Sequence, residues 1–457
     1  MTSTRSSIRR ARGITSKLLV VGPLVGLLAI TGCGNLLNVD NPNNVSQSDL
    51  ADPTSASAQA NGALAAVANG TSYVLTVVAD VGDEVTQGGS RDAYRQLTIG
   101  NLNDAHNEFS DAAWSPMMQG RWMSDFAIKN LSAFASAGTL KNPDDLVRSY
   151  LYGAIAYDRI ADWYEDAVVG SDHMDAAPPV GEANMYTLYD TAMSFVNTGL
   201  SLAQAENNSE RVLEFTAMKA QVAFHDAVWH MLHPNGSPVG GNGPADPLVN
   251  DATATAAAQA FFALNPAPDW TYRFTYSSTT VENNLATVTN EDIYTILSPN
   301  IAVMDQSGKH PMAPWSAVND PIDGIPSPSL VEGIQEFTNG GFYSPMTVLS
   351  AREMHLILAE AALAQGDNAT FTAQINDVRS LYSSLSPYSG QVPAQQILIH
   401  ERLTNMFLQG FRLADLYRFG IKSPDWLPTT AAYTNAGEFF PIAYVEQLSN
   451  CHIAGTC

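Results

Sequence analysis

Apolar residues recur at three- and four-residue spacings along much of the chain, the signature of helices that bury one face. Residues 146–167 carry Leu151, Ile155, Tyr157, Ile160, Ala161 and Tyr164 in this pattern. Residues 184–205 carry Tyr186, Tyr189, Met193, Val196 and Leu200, and residues 211–232 carry Val212, Phe215, Met218, Val222, Val228 and Leu232. The short connection between the last two predicts an antiparallel helix pair. Ahead of them, residues 56–79 are Ala-rich and helix-compatible, while residues 80–90, acidic and Gly-bearing, read as a surface loop. Helix is expected again from Met346. Met354, Leu358 and Ala361 line a segment that stops near Gly366, and Phe371, Ile375, Val378 and Tyr382 line the next. Leu403, Phe407, Gly410, Ala414 and Tyr417 line a third, ending at Gly420. Helix pairs in both halves have the rhythm of tetratricopeptide-like repeats, without a clean sequence period of about 34 residues.

The stretch 233–345 breaks the pattern. It holds 13 of the 25 prolines in a quarter of the chain, plus the glycines Gly236, Gly240, Gly241 and Gly243. Proline at that density prevents continuous helix and predicts long loops with short elements. Within it, Trp270, Tyr272, Phe274 and Tyr276 alternate at spacing two, which suits a short strand with one aromatic face. The predicted fold class is mostly α: helix pairs with a loop-rich insertion containing short β elements.

The N-terminus has a different character. Arg5, Arg9, Arg10, Arg12 and Lys17 precede a 13-residue apolar run at 18–30, too short to span a bilayer. The run ends in Ile30-Thr31-Gly32-Cys33, the pattern of a bacterial lipoprotein signal, in which the Cys33 thiol takes the lipid. Residues 1–32 are therefore expected to be a signal peptide and 33–55 a lipidated, Asn/Asp/Pro-rich tether. No other stretch is read as membrane-spanning. Cleavage would leave 425 residues and move the net charge from −23 to −28. Two or three acyl chains, palmitate among them, anchor stably where one does not. At the other end, export permits a disulfide between Cys451 and Cys457.

That charge, with only 15% charged residues, gives no positive field for nucleic acid or an anionic surface. Neutral and cationic ligands stay open. No nucleophile elbow, zinc-protease helix, EF-hand or dinucleotide glycine motif occurs, and no cofactor or metal is expected. His225, His230 and His233 read as ordinary hydrogen-bonded histidines, and Asp80, Asp83 and Glu84 as a solvated or weakly calcium-binding loop. Trp114 and Trp163, in helical surroundings, read as core.

The C-terminal third carries a recognisable pattern. Residues 349–361, Leu-Ser-Ala-Arg-Glu-Met-His-Leu-Ile-Leu-Ala-Glu-Ala, resemble the "R-x-x-E-x-x-L-x-x-A-E-A" helix of the SusD/RagB family, with Arg352 offset by one position. Ile375-Asn376-Asp377-Val378-Arg379 resembles its "I-N-x-V-R". His400-Glu401-Arg402 followed by residues 410–420 is similar to "E-R…E-G-x-R-x-x-D-L-x-R-x-G", with Gln409 where Glu is common and Phe411 where His is common. Phe440-Pro441-Ile442 and residues 446–450 resemble the closing motif, the lipobox and tether match at the front, and residues 152–164 resemble the first long repeat helix. The match is weakest at 233–345. Gly34-Asn35-Leu36-Leu37 replaces the anionic export signal that commonly follows the lipid Cys.

The resemblance implies a SusD-like superhelical body in two helical parts, 56–232 and 346–457, around a ligand-binding region at 233–345. It implies a non-catalytic lipoprotein of the outer membrane, facing the cell surface, that captures an oligosaccharide or peptide and delivers it to a SusC-like TonB-dependent receptor. Sugar capture needs aromatic faces and flanking polar groups. The insertion offers Trp315, Trp270 and Tyr272 with Asn319 and Asp320, and the early loop adds Arg91 and Asp92. Trp315, flanked by Pro311, Pro314 and Pro321, leads. The signature residues read as structural: Arg412, Asp415 and Arg418 as a charge ladder, with Glu401 a second partner for Arg412. Two other readings compete: a lipid-anchored glycoside hydrolase built on paired carboxylates, and a repeat scaffold that binds only proteins.

Overall fold

Two long helices cross backbone to backbone, and small residues allow it. In α1 (Ala56–Val81) a Cβ on Gly70 would lie 2.6 Å from the Pro116 carbonyl oxygen of α2 (Glu108–Ser136). A Cβ on Gly120 would lie 3.0 Å from the Ala66 carbonyl. The computed structural model describes residues 47–170, 176–290 and 294–457. The signal, Cys33 and most of the tether lie outside the described residues. Residues Leu50–Cys457 form one unit.

Around that crossing the helices stack in antiparallel succession. α3 (Asp144–Trp163) packs on α1, α2 and α4 (Tyr186–Ala205), α4 on α5 (Ser209–Leu232), and α5 on α6 (Ala252–Ala263). After α7 (Pro328–Asn339), α8 (Ala351–Ala364) packs on α6 and α9 (Asn368–Arg379), with α10 (Ala394–Asn405) and α11 (Arg412–Arg418) closing the second half. Two antiparallel strand pairs complete it: β1 (Val85–Gln87) with β3 (Thr295–Leu297), and β2 (Thr271–Phe274) with β4 (Met346–Ser350). The main core runs through both halves, and a second cluster, with Leu356, Phe371, Ile375 and Ile397, fills the space among α8, α9 and α10. This is the mostly helical, repeat-like body the periodicity predicts. Trp114 and Trp163 are each 2% exposed within it.

The structure departs from the sequence reading at several places. α2, 29 residues long with Pro116 inside it, is anticipated only as the helical surroundings of Trp114 and not as a long helix. Residues 346–350 are strand, since Thr271 to Phe274 bring a partner edge to them. The third C-terminal helix is two helices: Leu408 (φ 53°) and Gly410 (φ 87°) turn the chain between α10 and α11. α6 and α7, each of 12 residues, stand inside the Pro-rich stretch. Among the described residues, Pro53–Val81 is long and apolar enough to cross a membrane, which the sequence reading excluded; 67% of its apolar window is buried, as befits a core helix.

The acids of residues 80–84 are not solvated. Asp80, Asp83 and Glu84 are 1%, 3% and 1% exposed. The C-terminus of α1 abuts the start of α11 at Gly82, so Asp83 pairs with Arg412 at 3.1 Å. The ion pair of Arg412 is thus with Asp83 and not, among the described residues, with Asp415 or Glu401. Asp415 instead bridges Arg402 and Arg418, both at 2.8 Å, and Arg418 also binds Glu360. Glu401 belongs to Arg379, at 2.7 Å. Cys451 and Cys457 are joined at the C-terminus, Cα atoms 5.0 Å apart.

Candidate functional site

Alternation along β2 sorts its residues onto two faces. Trp270, just before the strand, packs on Phe261 with ring centroids 5.3 Å apart, and Tyr272 stacks edge-on against Phe274. Burial pushes the Tyr272 phenol well above its usual range. The aromatic face is therefore the core face. The intervening residues Asp269, Thr271 and Arg273 line a cleft of about 130 Å³, together with Thr347 and Ser350, the β4 partners of Arg273 and Thr271.

The opposite wall is one face of α7. Ser329, Glu332, Gly333, Glu336 and Phe337 fall at three- and four-residue spacing and share the side turned to the cleft. Pro328 at the first helical position fits the fixed φ of proline to the start of α7. The end of α10 and the turn after it supply Thr404, Asn405, Phe407 and Gln409, and α8 supplies Arg352. Leu75, Leu285, Phe337 and Phe407 give apolar ground beneath these polar groups.

Every formal charge at the rim has a partner. Arg352 takes both oxygens of Asp269, at 2.6 and 2.7 Å, and reaches Glu332 at 3.4 Å. Its plane lies over the Tyr382 ring, whose hydroxyl donates to Glu332. Burial acts to lower the pKa of Arg352, but Asp269 outweighs it and the guanidinium stays charged. Arg273 pairs with Glu336. Behind the rim, Asn405 donates to Glu401 Oε2 at 2.9 Å and accepts from Arg352 at 3.3 Å. Glu401 thus orients Asn405, and Asn405 steadies Arg352.

None of the seven residues proposed from sequence for ligand contact is among those lining the cleft. Asp320 is corrected outright: 2% exposed, it pairs with Arg379 at 2.7 Å and accepts the backbone N–H groups of Ile322 and Asp323, with no surface for a ligand. Trp315 is half-buried against the main core, in a loop held by bridges between Ala302 and Ala317 and between Met304 and Pro311. Asn319 is exposed on the same loop. Arg91 and Asp92 are exposed at the start of the short helix Asp92–Thr98; Arg91 sits 5.2 Å over the Tyr294 ring and Asp92 pairs with Arg95. The cleft residues missed from sequence are the polar alternates of the strand that its aromatic residues revealed.

One further cluster has the composition of a metal site. His225 Nδ1 lies 3.0 Å from Asp158 and 2.9 Å from Asp162, with His225 and Asp158 buried and Asp162 half-buried. Burial would lower the pKa of this imidazole, but the two carboxylates override it and hold it at about 10. A protonated ring, with Arg159 3.4 Å from Asp162, already supplies the positive charge the acids require. The Cys451, His452, Cys457 group has both sulfurs in the disulfide.

No family model and no curated protein matches the sequence. Solved structures do. A SusD superfamily protein from Bacteroides fragilis superposes with TM-score 0.58 at 15% identity, covering 88% of this chain and 99% of that one. A SusD homologue from Bacteroides thetaiotaomicron gives 0.58 at 11%, covering 88% and 97%. A third, described with xylogluco-oligosaccharide, gives 0.52 at 13%, covering 79% and 83%. At these identities the agreement is one of architecture, and over nearly the whole described chain that architecture is the SusD fold.

Proposed function

We propose that this protein is a non-catalytic glycan-binding lipoprotein, anchored through Cys33 to the outer membrane at the cell surface, that hands an oligosaccharide or peptide to a SusC-like TonB-dependent transporter. The observation that carries the reading is the cleft: hydroxyl, amide and ion-paired groups over an apolar floor, on a fold whose solved examples include one described with a xylogluco-oligosaccharide. Sugars offer the matching surface, hydroxyls around an apolar C–H face. Asp269, Glu332 and Glu336 are each tied to an arginine, which suits a wall that orients a ligand better than a general acid opposite a nucleophile. Trp315, Asn319, Arg91 and Asp92 on the exposed loops are proposed as a separate contact surface for longer glycans.

A glycan array probed with the soluble body, followed by chromatography of the bound oligosaccharide after prolonged incubation, tests this. Saturable binding without breakdown is expected, weakened by Trp315→Ala. Release of shorter products by the purified protein would overturn the non-catalytic reading, and capture of the transporter without affinity for any glycan or peptide would overturn ligand capture.

A further inference from the structure

The C-terminal turn brings three metal-ligating side chains together. Cys451 and His452 open the short helix Cys451–Ala454, and Cys457 lies just past its end. One ligand atom of each, the two sulfurs and a ring nitrogen of His452, lies within 4.8 Å of the others.

Backbone and amide hydrogen bonds hold this arrangement as well as the sulfur–sulfur bond does. Asn450, 2% exposed, pins the start of the helix. Its Nδ2 donates to the Ala177 carbonyl at 2.9 Å, and its Oδ1 accepts the His452 N–H at 3.0 Å. Gly455, at φ 69° in the left-handed region that glycine enters without strain, turns the chain back. The Thr456 N–H then donates to the Cys451 carbonyl at 2.9 Å, which sets Cys457 beside Cys451. None of these bonds involves sulfur, so they outlast the bridge.

The bridge itself is open to attack. Cys457 and His452 are exposed and Cys451 is half-buried. With the cysteines six positions apart, the closed loop is small and restricts the unfolded chain little. Exposed disulfides of this kind are the labile ones, because an attacking thiolate reaches them directly. Once they are reduced, two thiolates, one imidazole and an open position make a zinc donor set. Ligands about 2.0–2.3 Å from a common zinc lie roughly 3–4 Å apart, so the sulfurs part to that separation and the imidazole is already in range.

We infer that the reduced C-terminal turn is a redox-gated Zn2+ site, ligated by Cys451 Sγ, Cys457 Sγ and a ring nitrogen of His452. An external dithiol supplies two electrons and two protons: the S–S bond breaks, two thiols form, and the dithiol leaves as its own disulfide. Zn2+ displaces both thiol protons to solvent and takes the lone pair of the neutral imidazole, with water as fourth ligand. Reoxidation removes both thiolates and releases the metal, since the thiolate is the ligand and a disulfide sulfur is not. The site uses none of the cleft residues and does not depend on the glycan-binding reading.

Zinc competition against a chromophoric chelator, run on the purified full-length protein before and after a phosphine reductant, tests this. The reduced protein is expected to bind one equivalent of Zn2+ more than the oxidised protein and to release it on reoxidation. Co2+ in its place is expected to give thiolate charge-transfer and tetrahedral d–d absorption bands. None of the three ligands belongs to the core, so variants test ligation on a folded body. Cys451→Ser with Cys457→Ser is expected to abolish the extra equivalent, a comparison that also subtracts any contribution from Cys33. His452→Ala is expected to weaken it more than about tenfold, the loss that removal of even an outer partner brings. Equal uptake by oxidised and reduced protein, uptake unchanged in the double serine variant, a cobalt spectrum without thiolate bands, or affinity within twofold in His452→Ala would each overturn the inference.

Discussion

Glu84 offers a measurable link between burial and pH. It is 1% exposed where α1 meets the turn after α10, with Oε1 accepting the Leu408 N–H at 2.7 Å and Oε2 unpartnered among the described residues. Burial holds its pKa up at about 8, although the Leu408 N–H and Arg412 pull it down. In the unfolded chain the group would titrate near 4.3. Between those two values the folded state keeps a proton that the unfolded state has lost, so stability falls as pH rises. The loss is ~1.4 kcal/mol per pH unit, or on the order of 5 kcal/mol across the window. Below the lower value and above the higher one this group contributes no further slope. Glu84→Gln mimics the protonated form: its carbonyl still accepts from Leu408, and it never ionises. At ~2.1 cal/mol/K per residue over ~400 residues, unfolding entropy is ~0.9 kcal/mol/K, so the variant is expected to gain ~5 °C on wild type between pH 5 and pH 9. Thermal unfolding followed by circular dichroism at each pH unit reads the difference directly. Parallel melting curves for the two proteins across that range would refute the reasoning.

Other perturbations follow from the same packing. Glu165, held at about 8 by burial, and Glu353, at about 7, add to the loss as pH rises, whereas His233 and His400, depressed to about 4 by burial, offset part of it between about 4 and 6.5; with three acids against two histidines, wild type is expected to melt highest near the acid end of a scan from pH 4 to 9 and to lose Tm more steeply above about pH 6.5. Arg418→Met strips a partner from Glu360 and Asp415 in the core and is expected to cost about 3–5 kcal/mol, read as a drop of several degrees in Tm; a change under 1 °C would contradict it. In Gly199→Ala the new Cβ would stand 2.1 Å from Phe215 Cζ, so overpacking of about 1–3 kcal/mol outweighs the better helix propensity, and Phe215→Leu in the same chain is expected to restore the lost Tm. Cys451→Ser with Cys457→Ser opens only a short loop at the C-terminus, and Tm is expected to move by less than about 2 °C.

Periodicity exposed α3, α4 and α5 because each buries one stripe, and that stripe is written locally. α2 was legible too, through Asn107 as N-cap, Glu108 and Asp111 in the first turn, and Ala113, Met117, Ser124, Ile128 and Leu131 at helical spacing. What stayed hidden depends on contacts distant in sequence. Three acids within residues 80–84 look like a solvated loop until the Leu408 N–H and Arg412, more than 300 residues on, are seen to enclose them. Asp320 looks like a hydroxyl-binding group until Arg379 is set against it. For β2 the alternation was plain, but which face meets the core is decided by α6 and β4. Aromatic residues drew the eye to the packed side, and the wet side is polar.

The division between structural and ligand-facing residues is narrow at this cleft. Gln409 is presented by a turn that needs Leu408 and Gly410 in left-handed backbone conformations, and a Cβ at Gly410 would stand 2.6 Å from Trp163 Cζ2. The indole of Trp163 donates to the Gly410 carbonyl at 3.3 Å, so α3, in the first half of the chain, sets the position of an amide in the second. Glu401 acts from the other side through Asn405 to Arg352. Asp83 holds Arg412 at the head of α11, just beyond that turn. Groups that read as fold-fixing ion pairs therefore stand one or two hydrogen bonds behind residues that line the cleft. A substitution at Glu401 is accordingly expected to alter binding through the orientation of Asn405 and Arg352 as well as stability, and the measure that separates the two is ligand affinity compared at equal folded fraction.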